Sequence, residues 1–536
     1  MRGADLLVKS LVSAGVDTIY SLSGNQIMPL YDACIDANIR IVHVRHEAAA
    51  VFMADAHAQL TNSIGVCLVA AAPGAANAVG PLFSARQSES PVLFLTGDSP
   101  SSHDGFGAFQ ELDLVSITTP MTKLSFRSQT ADNIGTDMLR AICTALSGRP
   151  GPVHVAVPFN LLNDNLAPDT CLVPEENLFS REVNAVASST AQDILRLVNA
   201  ADKPLVLVGP VLNPTRSVHE LSHLENHLNA PIVVMESPRG LKDPSLGAVA
   251  EAVAQSDLIL CLGKIVNFTL GFGSSKIFSS NTRWIVVDSD CAELNKAKAN
   301  LTNKLIKNVH ADPRDLVVSL LNEDSVSATD IGWREEVSYL IRRRSESKIE
   351  SNGDGITSES LCVTVEALVR KQLKSIVISD GGEFGQWSQA CTSGHKRLIN
   401  GPSGAIGGAV CYALAAKLVH PASTVFALMG DGTVGFHLAE FETAAREGIP
   451  FVSIIGNDLR WNAEHQIQVR DYGVDRLIAC QLSDARYDLA VEALGGHGEY
   501  VTCLSELPAA LERAVASAKV ACVNVMIKGL PAPELI

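Results

Sequence analysis

The chain has no CxxC pair, and its twelve cysteines stand mostly alone in apolar runs such as "GVCLVA" and "LILCLG". That sets aside a disulfide framework and predicts cysteine as a small core residue in a reduced, cytoplasmic compartment. Positive charge is scarce as well. Lys and Arg number 42 against 58 Asp and Glu, a formal net charge of −16. Such a surface repels phosphate backbones and anionic lipids, so neither nucleic acid nor a membrane surface is expected as a partner. No basic segment followed by an apolar one opens the chain; "MRGADLLVKSLVSAGVDTIY" reads as an amphipathic helix running into a strand. The one long uncharged stretch, Thr61 to Ala85, is broken by Pro73 and Pro81. It reads as strand, loop and helix, not as a membrane span.

What is present is the composition of a folded, globular chain, with 47% apolar and 19% charged residues. Its 536 residues exceed one hydrophobic core; at roughly 150 residues per domain they suggest three or four units. Short β-branched runs alternate with helix-period segments, the pattern of parallel sheets with crossover helices. "RIVHVRHE", "SIGVCLVAA", "SPVLFLTGD" and "GPVHVAVP" come first, then "KPLVLVGP", "APIVVMES", "DLILCLGK" and "RWIVVDSD". "SIVISDGG", "TVFALMGDG", "PFVSIIGND" and "ACVNVMIKG" close the series. The pattern lapses over 164–188 and again over 323–356, both read as linkers. The expectation is an α/β protein of three doubly wound parallel-sheet domains, 1–165, 186–322 and 357–536, the first and last being distant copies of one plan.

The stretch Met429 to Asp458, "MGDGTVGFHLAEFETAAREGIPFVSIIGND", concentrates the chemistry. Doubly wound sheets bind ligands beyond the carboxyl ends of their strands. Gly430 and Gly432 permit close backbone approach there, and the helix that follows offers free N–H groups to an anion. Asp431 between them would repel a bare phosphate. A divalent cation resolves that conflict, and Asp458, at the end of the next strand, supplies a second hard oxygen suited to Mg²⁺. Gly-Asp-Gly is also a common turn and a charged strand end is often only solvated, so the pattern alone leaves both readings standing.

This stretch resembles the cofactor motif of the thiamine diphosphate enzymes of the acetolactate synthase and pyruvate decarboxylase superfamily, with Asp458 where the family has the second Asn of a pair. The resemblance spans nearly the whole chain in the order pyrimidine-binding, central and diphosphate-binding domain. It implies thiamine diphosphate and Mg²⁺ as cofactors, with Asp431, Asp458 and the backbone carbonyl of Arg460 on the metal and Gly430, Gly432 and Thr433 around the diphosphate. "VRHEAAAVFMADAHAQL" is similar to the family segment bearing the glutamate that shares a proton with the aminopyrimidine, which would be Glu47; a cap on the following helix is the plainer role for such a residue.

By the same resemblance Pro73, Gly74 and Asn77 line the pyrimidine pocket, and Ile406 in "NGPSGAIGGA" is the bulky residue that bends the cofactor, with Gly404 beside it. Gly385 and Gln386 in "SDGGEFGQW" would touch the diphosphate, and Phe109 and Gln110 in "GAFQELD" would lie near the reacting centre. Asn25 takes the loop position that decarboxylases fill with an acid. Ile467 stands where acetolactate synthases carry a substrate-selecting tryptophan, and "LGKIVNFTLGFG" replaces their flavin-contacting arginine loop; both weigh against a branched-chain biosynthetic role and against FAD. His103 stands alone where pyruvate decarboxylases have a His pair.

The expected activity is that of a carbon–carbon lyase or carboligase acting on a 2-oxo acid such as pyruvate, or on an acyloin. The alternatives are a 2-hydroxyacyl-CoA lyase or oxalyl-CoA decarboxylase, against which no basic C-terminal cluster is seen, and an inactive paralogue serving as a binding or regulatory subunit. A homodimer or homotetramer with sites between chains is implied.

Overall fold

The computed structural model describes residues 1–167, 171–324, 331–343, 355–399 and 401–533. Among them seventeen strands form three sheets, each paired in parallel throughout. The first contains β1 (Thr18–Leu22), β2 (Arg40–His43), β3 (Gly65–Val69), β4 (Val92–Asp98), β5 (Leu124–Arg127) and β6 (Val153–Pro158), in the order β2-β1-β3-β4-β6-β5. The second contains β7 (Pro204–Val208), β8 (Ile232–Val234), β9 (Leu258–Leu262), β10 (Arg283–Asp288) and β11 (Leu305–His310), in the order β11-β10-β9-β7-β8. β12 (Ser375–Ser379), β13 (Lys396–Ile399), β14 (Thr424–Gly430), β15 (Val452–Asn457), β16 (His497–Val501) and β17 (Ala521–Met526) make the third, in the order β13-β12-β14-β15-β17-β16.

The interior strands follow from their composition. "GVCLV" of β3, "PLVLV" of β7 and "LILCL" of β9 are buried at every position, as parallel strands covered on both faces must be. The first and third sheets run through the same order of strands, second-first-third-fourth-sixth-fifth. Each reverses direction between its first and third strand, which opens a crevice at the carboxyl edge.

The first and third domains share one core. The helix Glu47–Thr61 is rich in alanine and buried almost all round, and it packs against Ala409–Val419, apolar on every face. Phe52 meets Tyr412 edge-on with ring centroids 5.8 Å apart. Tyr412 Oη donates to the buried Asp55 Oδ2 at 2.5 Å. The central domain is fastened by Arg149, which bridges Glu89 and Asp288, and by Arg216, which donates to the carbonyls of Ser88 at 2.7 Å and Glu89 at 2.9 Å.

Residues 323–356 depart from the expectation of a bare linker. Gly332–Arg342 forms a helix whose Val337 and Leu340 enter the central core, an amphipathic stripe that the flanking charges obscure in the sequence. Residues 325–330 and 344–354 of that stretch lie outside the described residues. In the other stretch, 164–188, the described residues between the Asn165 bridge to Arg2 and Ser188 contain a single 3-10 turn, Glu176–Leu178.

Candidate active site

β14 and β15 are neighbours with Gly430 paired to Gly456, so the chain leaves both strands at the same level. Asp431 opens the short helix Asp431–Val434, and Asp458 follows β15. Both face a cavity of about 200 Å³ whose walls include Gly382, Gly404, Ile406, Gly432, Thr433 and Arg460. The walls are low where glycine stands. A Cβ on Gly382 or Gly404, both at positive φ, would meet no other atom within contact distance, and one on Gly430 only Thr433 Oγ1 at 3.9 Å. Gly432 is required for another reason, because a Cβ there would come within 2.7 Å of the Trp461 ring.

The two aspartates are nearly closed off from solvent, at 3% and 7% exposure. Burial pushes the Asp431 carboxyl up to about 6. Burial, with the neighbouring Asp431 charge added, pushes Asp458 up to about 7. Asp431 Oδ2 accepts from the Arg460 backbone N–H at 3.2 Å, while the Arg460 side chain turns back to the Asp458 carbonyl at 3.1 Å. Leu459, between them, is held at φ +60, a strained conformation for a non-glycine residue. Two buried carboxylates on one cavity, with no ammonium or guanidinium among the described residues bonded to either, have unspent capacity for a cation. Among the described residues no cluster of three or more His, Cys, Asp or Glu side chains is placed to hold a metal. A cation here would draw its other ligands from backbone, water or a bound anion.

The first sheet gathers the remaining residues at its carboxyl edge. Glu47 follows β2 and starts its helix behind His46, whose ring accepts from the Ala48 N–H at 3.1 Å. Asn77 Nδ2 donates to Glu47 Oε2 at 3.0 Å, and a Cβ on Gly74 would sit 3.3 Å from Glu47 Oε1. Pro73 and Asn77 are exposed and Glu47 is half-buried. Ala72, ahead of Pro73, is strained at φ +40. Asn25 is exposed after β1, in the turn Asn25–Ile27. Its neighbour Gln26 is buried and donates to Gln110 Oε1 at 2.7 Å, which ties that turn to the loop after β4. Phe109, in the same loop, is 78% exposed, and His103 is exposed in the turn Ser101–His103.

Two expectations shift. Gly385 and Gln386 do not face the cavity: Gly385 packs against the Asp380 carbonyl and Gln386 Nε2 turns to Glu383 at 3.2 Å. The wall is formed by Gly381 to Phe384, the first turn of the helix Gly382–Cys391, because a helix entering from a strand end presents its N-terminal turn to the crevice. Ile467 is 45% exposed on the helix Asn462–Tyr472 and is not part of the wall.

Three residues were not foreseen. Trp461 and the central domain's Arg239 complete the cavity, and Arg239 opposes the burial that pushes the Glu383 carboxyl up. Glu440, fully buried, accepts from the backbone N–H groups of Arg45 and His46 at 3.0 Å each and so fixes the loop before Glu47. A glutamate in the first turn of a helix signals no more than a favourable dipole, which is why it passed unread.

Family models extend the comparison beyond geometry. The N-terminal TPP binding domain of thiamine pyrophosphate enzymes matches residues 1–117, the central domain 191–311 and the C-terminal TPP binding domain 380–525. A probable acetolactate synthase of Mycobacterium bovis is 30% identical over 98% of this chain and 96% of its own length. The chain belongs to the thiamine pyrophosphate enzymes. Among its relatives, acetolactate synthase large subunit IlvG of Mycobacterium tuberculosis shows the same identity and coverage. 2-Hydroxyacyl-CoA lyase 2 of Bos taurus is 30% identical over 93% of this chain and 84% of its own length. The matched N- and C-terminal domains are those whose sheets carry Glu47 and Asp431. Among the described residues of this thiamine pyrophosphate enzyme no helix is long and apolar enough to cross a membrane.

Proposed function

We propose that the enzyme uses thiamine diphosphate with Mg²⁺ to break or join carbon–carbon bonds of a 2-oxo acid such as pyruvate, as a lyase or carboligase of the cytoplasm. One observation carries the cofactor reading: Asp431 and Asp458, both buried and, among the described residues, with no ammonium or guanidinium bonded to their carboxylates, share a cavity whose glycines leave its walls open. Asp431, Asp458 and the Arg460 backbone would hold the metal, and the N–H groups of the turn from Gly430 to Thr433 would meet the diphosphate. Bound there, the cofactor would supply an electron sink for carbon–carbon bond cleavage or formation. Glu47 holds and returns a proton at the aminopyrimidine, kept in place by Asn77 and by the loop that Glu440 anchors. Ile406, half-buried on the cavity, shapes the cofactor, while Asn25, Gln110, Phe109 and His103 border the substrate from the edge of the first sheet.

A chain that keeps both Glu47 and the aspartate pair is poorly explained as an inactive regulatory subunit. The second reading, cleavage of a 2-hydroxyacyl-CoA, is supported by the relatives that bear that name at the same identity. We further infer a homodimer or homotetramer. Gly74 and Asn77, the surroundings of Glu47, contribute nothing to the walls around Asp431, as expected where each half of the site meets its complement on another chain.

The test incubates the loaded enzyme separately with pyruvate, a benzoin-type acyloin and a 2-hydroxyacyl-CoA, and identifies products by mass spectrometry. Pyruvate consumption with acyloin formation supports the first reading, and scission of the C1–C2 bond of the 2-hydroxyacyl-CoA alone, to an aldehyde and a one-carbon acyl-CoA, replaces it with the second. In the same preparation Glu47→Gln should retain cofactor while hydrogen–deuterium exchange at the thiazolium carbon slows by roughly 10²–10⁴. An unchanged exchange rate removes Glu47 from the chemistry.

A further inference from the structure

Asp380 stands between the end of β12 at Ser379 and the cavity-wall residues 381–384, without being a wall residue itself. It is 2% exposed. Its Oδ1 accepts from the backbone N–H groups of Gly381 at 2.7 Å and Gly407 at 2.9 Å, and its Oδ2 from that of Ala409 at 3.1 Å. Burial pushes this carboxyl up, and the same three N–H groups oppose the shift. A carboxylate so enclosed, with no ammonium or guanidinium bonded to it among the described residues, is costly to keep unless its hydrogen bonds do something an apolar side chain could not.

What they do is join two walls of the cofactor cavity. One bond goes to Gly381, which opens the wall on the side of β12, and the others go to the backbone just after Ile406, which lines the same cavity. Gly407 is held at its other end too, where His437 Nδ1 lies 2.6 Å from its carbonyl. Gly401, Gly404 and Gly407 all lie at positive φ, so the loop carrying Ile406 has little stiffness of its own and its place is set by such anchors.

We propose that Asp380 is a positioning residue for the cofactor: it fixes Ile406 against the diphosphate wall, so that the bend of bound thiamine diphosphate is imposed through Ile406 by a carboxylate outside the cavity. The inference rests on the cofactor reading given above and names what holds its geometry. An asparagine could not replace this group, because its amide can accept on one side only and would set an N–H against the N–H of Gly407 or Ala409 on the other.

The experiment is equilibrium dialysis at fixed Mg²⁺ with thiamine diphosphate or inorganic diphosphate, on the parent enzyme, Asp380→Asn, Ile406→Ala and the double variant. Asp380→Asn should hold thiamine diphosphate at least about tenfold more weakly, yet keep inorganic diphosphate, which has no rings to bend, within about threefold of the parent. The double variant should bind thiamine diphosphate as Ile406→Ala alone does, since a residue acting through Ile406 adds nothing once that side chain is gone. In the cofactor-free protein, amide exchange over residues 401–409, read by mass spectrometry, should be at least about tenfold faster in Asp380→Asn. Asp380→Ala, which opposes no donors, should show the same split between the two ligands and serves if the asparagine variant does not fold. Additive losses in the double variant, or equal weakening of both ligands, would reduce Asp380 to a cap of the helix Ala409–Val419 and overturn the proposal. Retention of thiamine diphosphate equal to the parent's in both Asp380 variants would overturn it alone, whereas a parent enzyme that does not retain thiamine diphosphate would remove the cofactor reading and this inference with it.

Discussion

At Asp431 and Asp458 the chain accepts a cost that only a ligand can return. Replacing either by Ala removes an oxygen that water in a nearly closed cavity replaces poorly, and cofactor retention in Mg²⁺ should weaken by more than about tenfold. Asp458→Asn keeps an oxygen at the same reach and should leave retention almost unchanged. Equilibrium dialysis of thiamine diphosphate at fixed Mg²⁺ separates the three variants. His437 makes a different case. Its Nδ1 lies 2.6 Å from the Gly407 carbonyl, and burial pushes the ring down to about 4 from 6.5. The folded value is the lower one, so the neutral ring's contribution is complete above pH 6.5 and is lost as pH falls toward 4. His437→Asn, with no charge to take up, should lose about 3 kcal/mol less than the parent enzyme between those limits, read from urea midpoints.

What could be read at this scale depended on whether a residue type announces its chemistry. Asp431 and Asp458 declare themselves by standing where apolar strands end. Glu440 and Gln26 act through partners from distant segments, and nothing local marks them. Gly385 and Gln386 were displaced by one turn of helix, because a loop motif does not fix which residue of a helix start faces the crevice.

Elements show the same division. Interior strands, apolar at every position, are plain in the sequence. The strands that escaped notice, "LSFR", "LIKNVH", "KRLI" and "HGEYV", all stand at sheet edges, where one flank is open and polar residues intrude, whereas the edge strands β2 and β8 are apolar enough to be read. The common plan of the first and third domains was legible as a resemblance of pattern, and the shared strand order gives it a physical form. One of the polar contacts across the seam between those domains, Tyr412 to Asp55, sits in an apolar setting. Tyr412→Phe would leave the fully buried Asp55 with Ser90 and with Gln59, at 2.8 Å, as side-chain partners, and should cost about 1–3 kcal/mol. Urea denaturation should show a lower midpoint with an unchanged slope. An unchanged midpoint would mean that Asp55 is protonated and satisfied without the tyrosine.

Across the whole molecule, Glu47 and the Asp431–Asp458 pair stand at the carboxyl edges of two sheets with one strand order, and Pro73 and Asn77 beside Glu47 are exposed, as the proposed pairing of half-sites between chains requires. Such an arrangement has a consequence in heredity. Co-expressed chains carrying Glu47→Gln and Asp431→Ala would each be inactive alone. If the halves pair across chains, half of randomly assorted dimers are mixed, and each mixed dimer has one site with both lesions and one with neither, so about a quarter of all sites should regain activity. A site closed within one chain would regain none. Two null alleles of this gene would then complement each other in trans, although neither encodes a working protein.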